Sequence, residues 1–337
     1  MIKKDIKDLS LNEFGSFLQK HQYPPFRAAQ IWKWLFQKAE LDIDRMVNLP
    51  ATLRQLLNEH FCFHSLTERS TQTSSDGTIK KLFVLPDGEL IETVVIPAEG
   101  RKTVCVSTQA GCKFGCKFCA SGLKGFKRSL TAGEICEQIL LMGPDVTHVV
   151  FMGVGEPMDN YENVMKAVHT INAKEGMGIA ARRITISTCG IIPGIERMAK
   201  EGLQIELAVS LHASNDQLRN EFMPVNKRYS LKDLIKCCRQ YTEKTNRQVT
   251  FEYILIKDVT CIEKAAEELG RLLKGMLCKL NLIVYNPVPE FNFQSVSKKE
   301  IALFQKWLTQ YGIHSTVRAS RGQDVSAACG QLRRNSM

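Results

Sequence analysis

Apolar runs of six to nine residues alternate with helical patterns along the chain from residue 103 onward. The runs are rich in β-branched residues, which favours strands, and the segments between them repeat apolar residues at helical spacing. The predicted strands are residues 103–108, 147–152, 183–188, 204–212, 249–256 and 280–286, and the predicted helices lie near 131–143, 160–173, 192–201, 230–244, 262–274 and 297–311. Six strand–helix repeats predict a parallel sheet with too few units to close an eight-fold barrel. We expect an α/β fold, an open six-unit (β/α)6 partial barrel.

The segment before these repeats has a different pattern. The sequence PFRAAQIWKWLF predicts a helix over residues 26–36 with one apolar face. The runs LFVL and ELIETVVI flank Pro86-Asp87-Gly88, which is typical of a β-hairpin. We therefore divide the chain into a helical accessory domain (residues 1–70), a β-hairpin linker (71–97), a core (98–322) and a C-terminal tail (323–337).

The net charge favours a polyanionic partner. Lys and Arg number 45 against 35 Asp and Glu, which leaves +10. Such an excess suits nucleic acid, although a plain solvated surface explains it about as well. The chain shows no apolar run of the roughly 18 residues that span a bilayer, and its start lacks a secretory pattern. We expect a cytoplasmic protein that does not bind membranes.

Five of the twelve cysteines call for a chemical explanation. Cys112, Cys116 and Cys119 form a C-x3-C-x2-C triplet after the first predicted strand, Cys105 precedes them, and Cys329 lies near the C-terminus. The other seven are scattered among apolar or helical residues, where packing explains them. In parallel α/β folds the site lies at the carboxyl ends of the strands, where the triplet falls.

The triplet has three interpretations. Three thiolates can bind three irons of a cubane cluster and leave the fourth iron open to a substrate. The same spacing would also align three buried cysteines on one helix face. Alternatively, Cys105 and the triplet could hold a structural zinc ion, although Cys105 lies within a predicted strand and the paired C-x2-C knuckles of zinc modules are absent.

The triplet with Phe118 before its last cysteine resembles the signature of radical S-adenosylmethionine (SAM) enzymes. The later segment FMGVGEP is similar to the turn with which that superfamily binds the SAM amino group, and it contains Gly155 and Glu156. The resemblance implies one [4Fe-4S] cluster held by Cys112, Cys116 and Cys119, and SAM on the open iron. It also implies a core of radical SAM type.

A narrower resemblance covers roughly residues 20–332. The ordered segments CVSTQAGCKFGCKFCA, FMGVGEP, RITISTCG, AVSLHA, MPVNKRY, YNP and RASRGQDVSAACGQL closely resemble the dual-specificity adenine-C2 methyltransferases of 23S rRNA and tRNA. This resemblance implies methylation of C2 of adenine 2503 in 23S rRNA and of adenine 37 in tRNA. It further implies two SAM molecules per turnover, an electron donor such as flavodoxin, and a monomer.

The same resemblance assigns roles to individual residues. Cys329 would carry the methyl group as S-methylcysteine and become crosslinked to the RNA, and Cys105 would resolve that crosslink through a transient Cys105–Cys329 disulfide. Glu92 would accept the C2 proton, although a strand glutamate on the surface is the plainer interpretation. The implied SAM contacts are Gly155, Glu156, Ser187, Ser210, Leu211, His212 and Asn286.

Several alternatives remain open. A sister family methylates adenine C8 with the same triplet and tail cysteine, and Pro157 favours the C2 group. A zinc-stabilised RNA-binding protein, or a radical SAM enzyme acting on a peptide or small molecule, would leave the tail motif unexplained. Basic residues near the predicted site favour RNA with an unstacked base. They are Arg101, Lys102, Lys124, Lys127, Arg128, Arg182, Arg183, Lys227, Arg228, Arg318 and Arg321.

Overall fold

The N-terminal part of the chain is a small helical unit. The computed structural model describes residues 3–332. The unit contains β1 (Lys4–Asp5), α1 (Leu11–Lys20), α2 (Phe26–Trp32), α3 (Ala51–His60) and β2 (Phe61–Cys62). The helix predicted over residues 26–36 is present, but from Lys33 to Gln37 it continues with π-helical geometry.

Three antiparallel strands follow the helical unit. They are β3 (Thr67–Thr73), β4 (Ile79–Val84) and β5 (Leu90–Ala98). The predicted hairpin is confirmed as β4 and β5, which pair from Ile79 with Val95 to Val84 with Leu90. Strand β3 was not predicted, because its polar sequence TERSTQT leaves most of its side chains exposed at the sheet edge. The domain boundaries remain a prediction.

Seven parallel strands continue the same sheet. They are β6 (Arg101–Cys105), β9 (His148–Phe151), β10 (Ile184–Thr188), β11 (Glu206–Ser210), β12 (Val249–Leu255), β13 (Cys278–Val284) and β14 (Ser315–Arg318), and a short ribbon of β7 (Gln109–Ala110) and β8 (Arg128–Ser129) stands apart. Within residues 3–332 the sheet has ten strands, in the order β14-β13-β12-β11-β10-β9-β6-β5-β4-β3. The open α/β architecture is confirmed. The six predicted strand–helix units are present, and a seventh parallel strand, β14, follows the last of them. Strand β14 was not predicted, because it is short and lacks a long apolar run.

Helices connect the parallel strands and cover the sheet. They are α4 (Ala132–Leu140), α5 (Tyr161–Asn172), α6 (Ile192–Met198), α7 (Asp216–Phe222), α8 (Leu231–Thr245), α9 (Glu263–Leu273) and α10 (Lys298–Gln310). The capping boxes predicted at Thr131–Glu134 and Ser297–Glu300 are both present. Strands and helices share one continuous apolar core. No helix among residues 3–332 is long and apolar enough to cross a membrane.

A buried ionic cluster joins the N-terminal unit to α4. The Nζ atom of Lys7 lies 2.9 Å from Oδ1 of Asp5 and 3.1 Å from Oε2 of Glu137, and all three side chains are buried. Glu137 also accepts hydrogen bonds from the backbone of Ser65 and contacts Nδ1 of His64 at 2.8 Å. Because unpaired buried charges are costly, this cluster fixes the helical unit against the core.

Candidate active site

The three triplet cysteines lie on one loop between β7 and β8. Gly115 takes a φ of 59°, a left-handed conformation that lets the chain turn between Cys112 and Cys116. All three side chains line a cavity of about 160 Å³, which we call the thiol cavity. Burial raises the pKa of Cys112 to about 12 and that of Cys116 well above its usual value. With pKa values raised in this way, the three cysteines would become thiolates only when a cation binds to them.

The turn after β9 forms a second wall of the thiol cavity. Gly155 has a φ of 108°, and a Cβ atom built there would lie 2.6 Å from Cβ of Gln109. The Oε1 atom of Gln109 accepts a hydrogen bond from the backbone N–H of Glu156 at 2.9 Å. Only glycine fits this close approach, so the turn presents Glu156 to the cavity.

Glu156 is buried and held by backbone donors. Its Oε2 accepts a hydrogen bond from the N–H of Cys189 at 2.7 Å, and its Oε1 accepts one from Met158 at 3.0 Å. Burial raises the pKa of its carboxyl above the usual value, while these hydrogen bonds oppose the shift. Each carboxylate oxygen keeps lone-pair capacity for a further donor from a bound molecule.

The ends of β10 and β11 supply the third wall, which contains Ser187, Ser210 and His212. Nδ1 of His212 accepts a hydrogen bond from the N–H of Ile254 at 3.1 Å. Burial, followed by the nearby charge of Arg219, lowers the pKa of His212 to about 3. The imidazole is therefore neutral, with its proton on Nε2.

Two of the predicted SAM contacts occupy other surroundings. Leu211 is fully buried in the main core and does not line the thiol cavity. Asn286 lines a second cavity, of about 230 Å³, which we call the arginine cavity because Arg101, Arg318 and Arg321 line it. Their roles toward SAM remain predictions.

Cys329 lies on the wall that the two cavities share. It lines both the thiol cavity and the arginine cavity, together with Met152, Ile283 and Arg318. Backbone contacts hold the tail there, since the N–H of Ala120 in the cysteine loop donates to the carbonyl oxygen of Gly330 at 2.7 Å. The tail cysteine is thus adjacent to the triplet despite 209 intervening residues after Cys119.

Cys105 and Glu92 take up different positions relative to this wall. Cys105 lines the arginine cavity, and burial, with a contribution from Cys329, raises its pKa to about 12. All twelve cysteines are free thiols. Glu92 is buried and forms an ion pair with Lys80, whose Nζ lies 3.2 Å from its Oε1, and it lines neither cavity. The role of Glu92 as proton acceptor remains a prediction.

The predicted basic residues separate into three groups. Arg101, Arg318 and Arg321 surround the arginine cavity. Two others are engaged in ion pairs, since Lys102 pairs with Asp145 and Arg128 pairs with Asp87 and Glu134. The rest are exposed outside both cavities: Lys124, Lys127, Arg182, Arg183, Lys227 and Arg228.

Sequence reasoning missed two buried charged residues of the site. Arg219 on α7 is fully buried, and its guanidinium donates to the carbonyl oxygens of Leu211, Cys189 and Ser210 at 2.7–3.1 Å. It thereby holds the ends of two strands at the cavity. Glu252 lines the thiol cavity. A charged residue within the apolar run VTFEYILI was the available signal for Glu252, while no local pattern marks Arg219.

Known proteins share this arrangement over nearly the whole chain. The family model of the radical SAM superfamily matches residues 106–269. The family model of the ribosomal RNA large subunit methyltransferase N-terminal domain matches residues 4–63. The probable dual-specificity RNA methyltransferase RlmN of Clostridium perfringens is 44% identical over 98% of this chain and 97% of its own length. The corresponding protein of Bacillus licheniformis is 45% identical over 98% of this chain and 94% of its own length.

The chain belongs to the RlmN family of radical SAM RNA methyltransferases. The crystal structure of a radical SAM methyltransferase from Sphaerobacter thermophilus agrees, with a TM-score of 0.96, 46% identity, and coverage of 98% of this chain and 100% of that one. The resemblance inferred from the sequence motifs is therefore confirmed. The protein is an enzyme whose family implies a [4Fe-4S] cluster, SAM and RNA substrates.

The residues of the thiol cavity fit those cofactors. Three thiols from one loop face the same space as a buried carboxylate and the ends of two strands. Within residues 3–332 no three His, Cys, Asp or Glu side chains are arranged around a single metal ion. In a cubane each thiolate binds its own iron.

Proposed function

We propose that this enzyme methylates C2 of adenine in RNA, at adenine 2503 of 23S rRNA and adenine 37 of tRNA, with Cys329 as the methyl carrier. The observation that carries the proposal is the position of Cys329 on the wall between the two cavities. One cavity has the donor set for a cluster and SAM. The other has the size and charge to receive part of an RNA.

In the thiol cavity, Cys112, Cys116 and Cys119 would each bind one iron of a [4Fe-4S] cluster and leave the fourth iron to SAM. The Gly155–Glu156 turn and the ends of β10 and β11 would bind SAM. When bound, the cluster and SAM supply one-electron chemistry that an adenine carbon without a usable lone pair requires. A one-electron donor protein such as flavodoxin would provide the electron, and two SAM molecules would be used per turnover.

The arginine cavity would receive the target adenine. Val94, Ile96 and Met152 give it apolar walls, while Arg101 and Arg321 are exposed at the same cavity. A base reaches such a cavity only after it leaves its stack, and apolar contacts with its faces offset part of that cost. The arginines would neutralise the neighbouring phosphates.

Cys329 would form the covalent bond to the one-carbon unit, and Cys105 would release the product from Cys329. After methylation, the sulfur of Cys329 would carry the methyl group. That methyl group would lose one hydrogen atom to the radical that the cluster and SAM supply, and its carbon would bond to C2 of the base as C2 loses its proton and one electron passes back to the cluster. The Cys105 thiolate then attacks that sulfur, and a Cys105–Cys329 disulfide forms as the sulfur–carbon bond breaks. The electron pair of the broken bond goes to the methylene carbon, which takes up a proton and becomes methyl. Reduction of the disulfide restores both thiols.

Methylation of adenine C8 is the alternative within the same chemistry. Pro157 follows Glu156 and favours the C2 group. The test is to incubate the cluster-loaded enzyme with unmodified 23S rRNA fragments and tRNA, digest the RNA, and separate the methyladenosines by mass spectrometry. We expect 2-methyladenosine. Formation of 8-methyladenosine, or methylation of neither RNA by cluster-loaded enzyme, would contradict the proposal.

We further propose that the enzyme acts as a monomer.

A further inference from the structure

Glu252 is a buried carboxylate at the thiol cavity to which the mechanism above gives no role. It lies on β12 directly across from Ser210 on β11, and both side chains line the cavity. Glu252 is only 4% exposed. The residues directly before and after it in β12, Phe251 and Tyr253, face the apolar core. Because successive side chains of a strand point to opposite faces, Glu252 points to the other face of the sheet.

One of the two carboxylate oxygens of Glu252 is satisfied and the other is not. Oε1 accepts a hydrogen bond from Nδ2 of Asn281 at 3.2 Å, and Asn281 in turn accepts one from the hydroxyl of Thr316. Oε2 is buried and has no hydrogen-bond partner among residues 3–332. A buried carboxylate oxygen without a donor is costly, so its presence at a cavity indicates a donor that arrives with a bound molecule.

The charge beside Glu252 does not satisfy that oxygen directly. Burial raises the pKa of Glu252, and the nearby Arg318 opposes this shift. The Nη1 atom of Arg318, however, contacts the sulfur of Met152 at 3.3 Å. Arg318 thus favours the ionised carboxylate through space and leaves Oε2 available to a hydroxyl donor.

The two buried glutamates of the cavity lie on or after strands that are three positions apart in the sheet. Glu156 follows β9, next to the cysteine loop, whereas Glu252 lies on β12, three strands further along the sheet. A ligand whose amino-acid end is held at the cysteines and Glu156 would extend its nucleoside across β10 and β11 toward Glu252. The nucleoside of SAM offers a pair of adjacent ribose hydroxyls as donors.

We propose that Glu252 binds the ribose hydroxyls of SAM, a role that rests on the proposed occupation of the thiol cavity by SAM. Asn281 would position the carboxylate by holding Oε1. A hydrogen bond to a charged acceptor changes affinity by about 10-fold to 100-fold. The adenine amino group is the other donor of the nucleoside part of this ligand, and the experiment below separates it from the ribose hydroxyls.

The experiment measures the affinity of anaerobic, cluster-loaded enzyme for SAM and for its 2′-deoxy and 3′-deoxy analogues by equilibrium dialysis. For the wild type we expect at least one deoxy analogue to bind about 10-fold to 100-fold more weakly than SAM. For Glu252→Gln we expect SAM itself to bind that much more weakly, with little further loss when a hydroxyl is removed. The matched control is Glu268→Gln, which removes a part-buried carboxylate that contacts Ser214 outside the cavity.

The outcomes separate this proposal from the proposed function. Equal affinity of the wild type for SAM and both analogues overturns the role of Glu252, and this comparison needs no substitution. So does an equal loss for SAM and both analogues in Glu252→Gln, which would indicate the adenine amino group as donor. In either case, SAM binding by the wild type would remain consistent with the proposed function. Cluster-loaded wild type that binds no SAM would overturn both the role of Glu252 and the proposed function.

Discussion

The side-chain Nδ2 of Asn286 donates a hydrogen bond to the backbone carbonyl oxygen of Cys329 over 3.2 Å. The Oδ1 atom of the same side chain accepts one from Nε2 of Gln323 at 2.7 Å. The segment after β13 therefore holds the tail at two points, at the first residue of its 3-10 turn, Gln323–Val325, and at Cys329 beyond that turn. Because Asn286 also lines the arginine cavity, it fixes the backbone of Cys329 where the two cavities meet.

Gly155 allows a direct test of the turn that presents Glu156. An alanine at position 155 would have to adopt a φ of 108°, and its Cβ atom would lie only 2.6 Å from Cβ of Gln109. We expect Gly155→Ala to lower the free energy of unfolding by at least about 1–3 kcal/mol and to abolish SAM binding by the folded fraction. The measurements are denaturant unfolding and equilibrium dialysis.

The control for this substitution is Gly88→Ala. Gly88 has a φ of 84° in the hairpin turn, but a Cβ atom there would meet nothing within 4 Å. It therefore measures backbone strain without a collision. Equal effects of the two substitutions on SAM binding would refute the account of the turn.

Cys105→Ala separates formation of the RNA crosslink from its resolution. Because Cys105 and Cys329 line the same cavity, we expect this variant to form the crosslink and then stop without a second turnover. The measurement is a denaturing gel that detects protein bound covalently to RNA. Cys136→Ala, a buried thiol on α4, is the control and should turn over normally. Multiple turnovers by Cys105→Ala would exclude the resolving role.

His64 gives the contact between the N-terminal unit and α4 a pH dependence. Its hydrogen bond to Glu137 raises the pKa of His64 above 6.5. The stabilisation is therefore complete below pH 6.5 and is lost as the pH rises through the raised pKa. We expect the stability of the wild type relative to His64→Gln to decrease over that range, by no more than about 0.2–1 kcal/mol because the ring is exposed. Unfolding midpoints across this pH range provide the measurement, and a parallel dependence in both proteins would contradict it.

Much of the fold follows from local patterns, and its exceptions have physical causes. The apolar runs located six of the parallel strands because buried strands of such sheets are apolar on both faces. Strand β14, with the sequence STVR, was missed because it is short and its side chains are partly exposed. Helix α7, Asp216–Phe222, was also missed, since two turns are too short for a periodic signal.

The site was predictable where contacts are local in sequence. The cysteine triplet and the Gly155–Glu156 turn are contiguous motifs, and both line the thiol cavity. The pairing of Asn286 with the tail and the burial of Arg219 depend on segments far apart in the chain. Spacing within one segment does not determine which distant backbone carbonyl a side chain binds, so these contacts required the folded structure.

The methyl state of Cys329 tests the central claim most directly. We would map tryptic peptides by mass spectrometry in protein purified without air from iron-replete cells. The account predicts one added methyl group on Cys329 that is absent from the Cys112→Ala variant. Unmodified Cys329 in wild-type protein that carries its cluster would contradict the methyl-carrier mechanism.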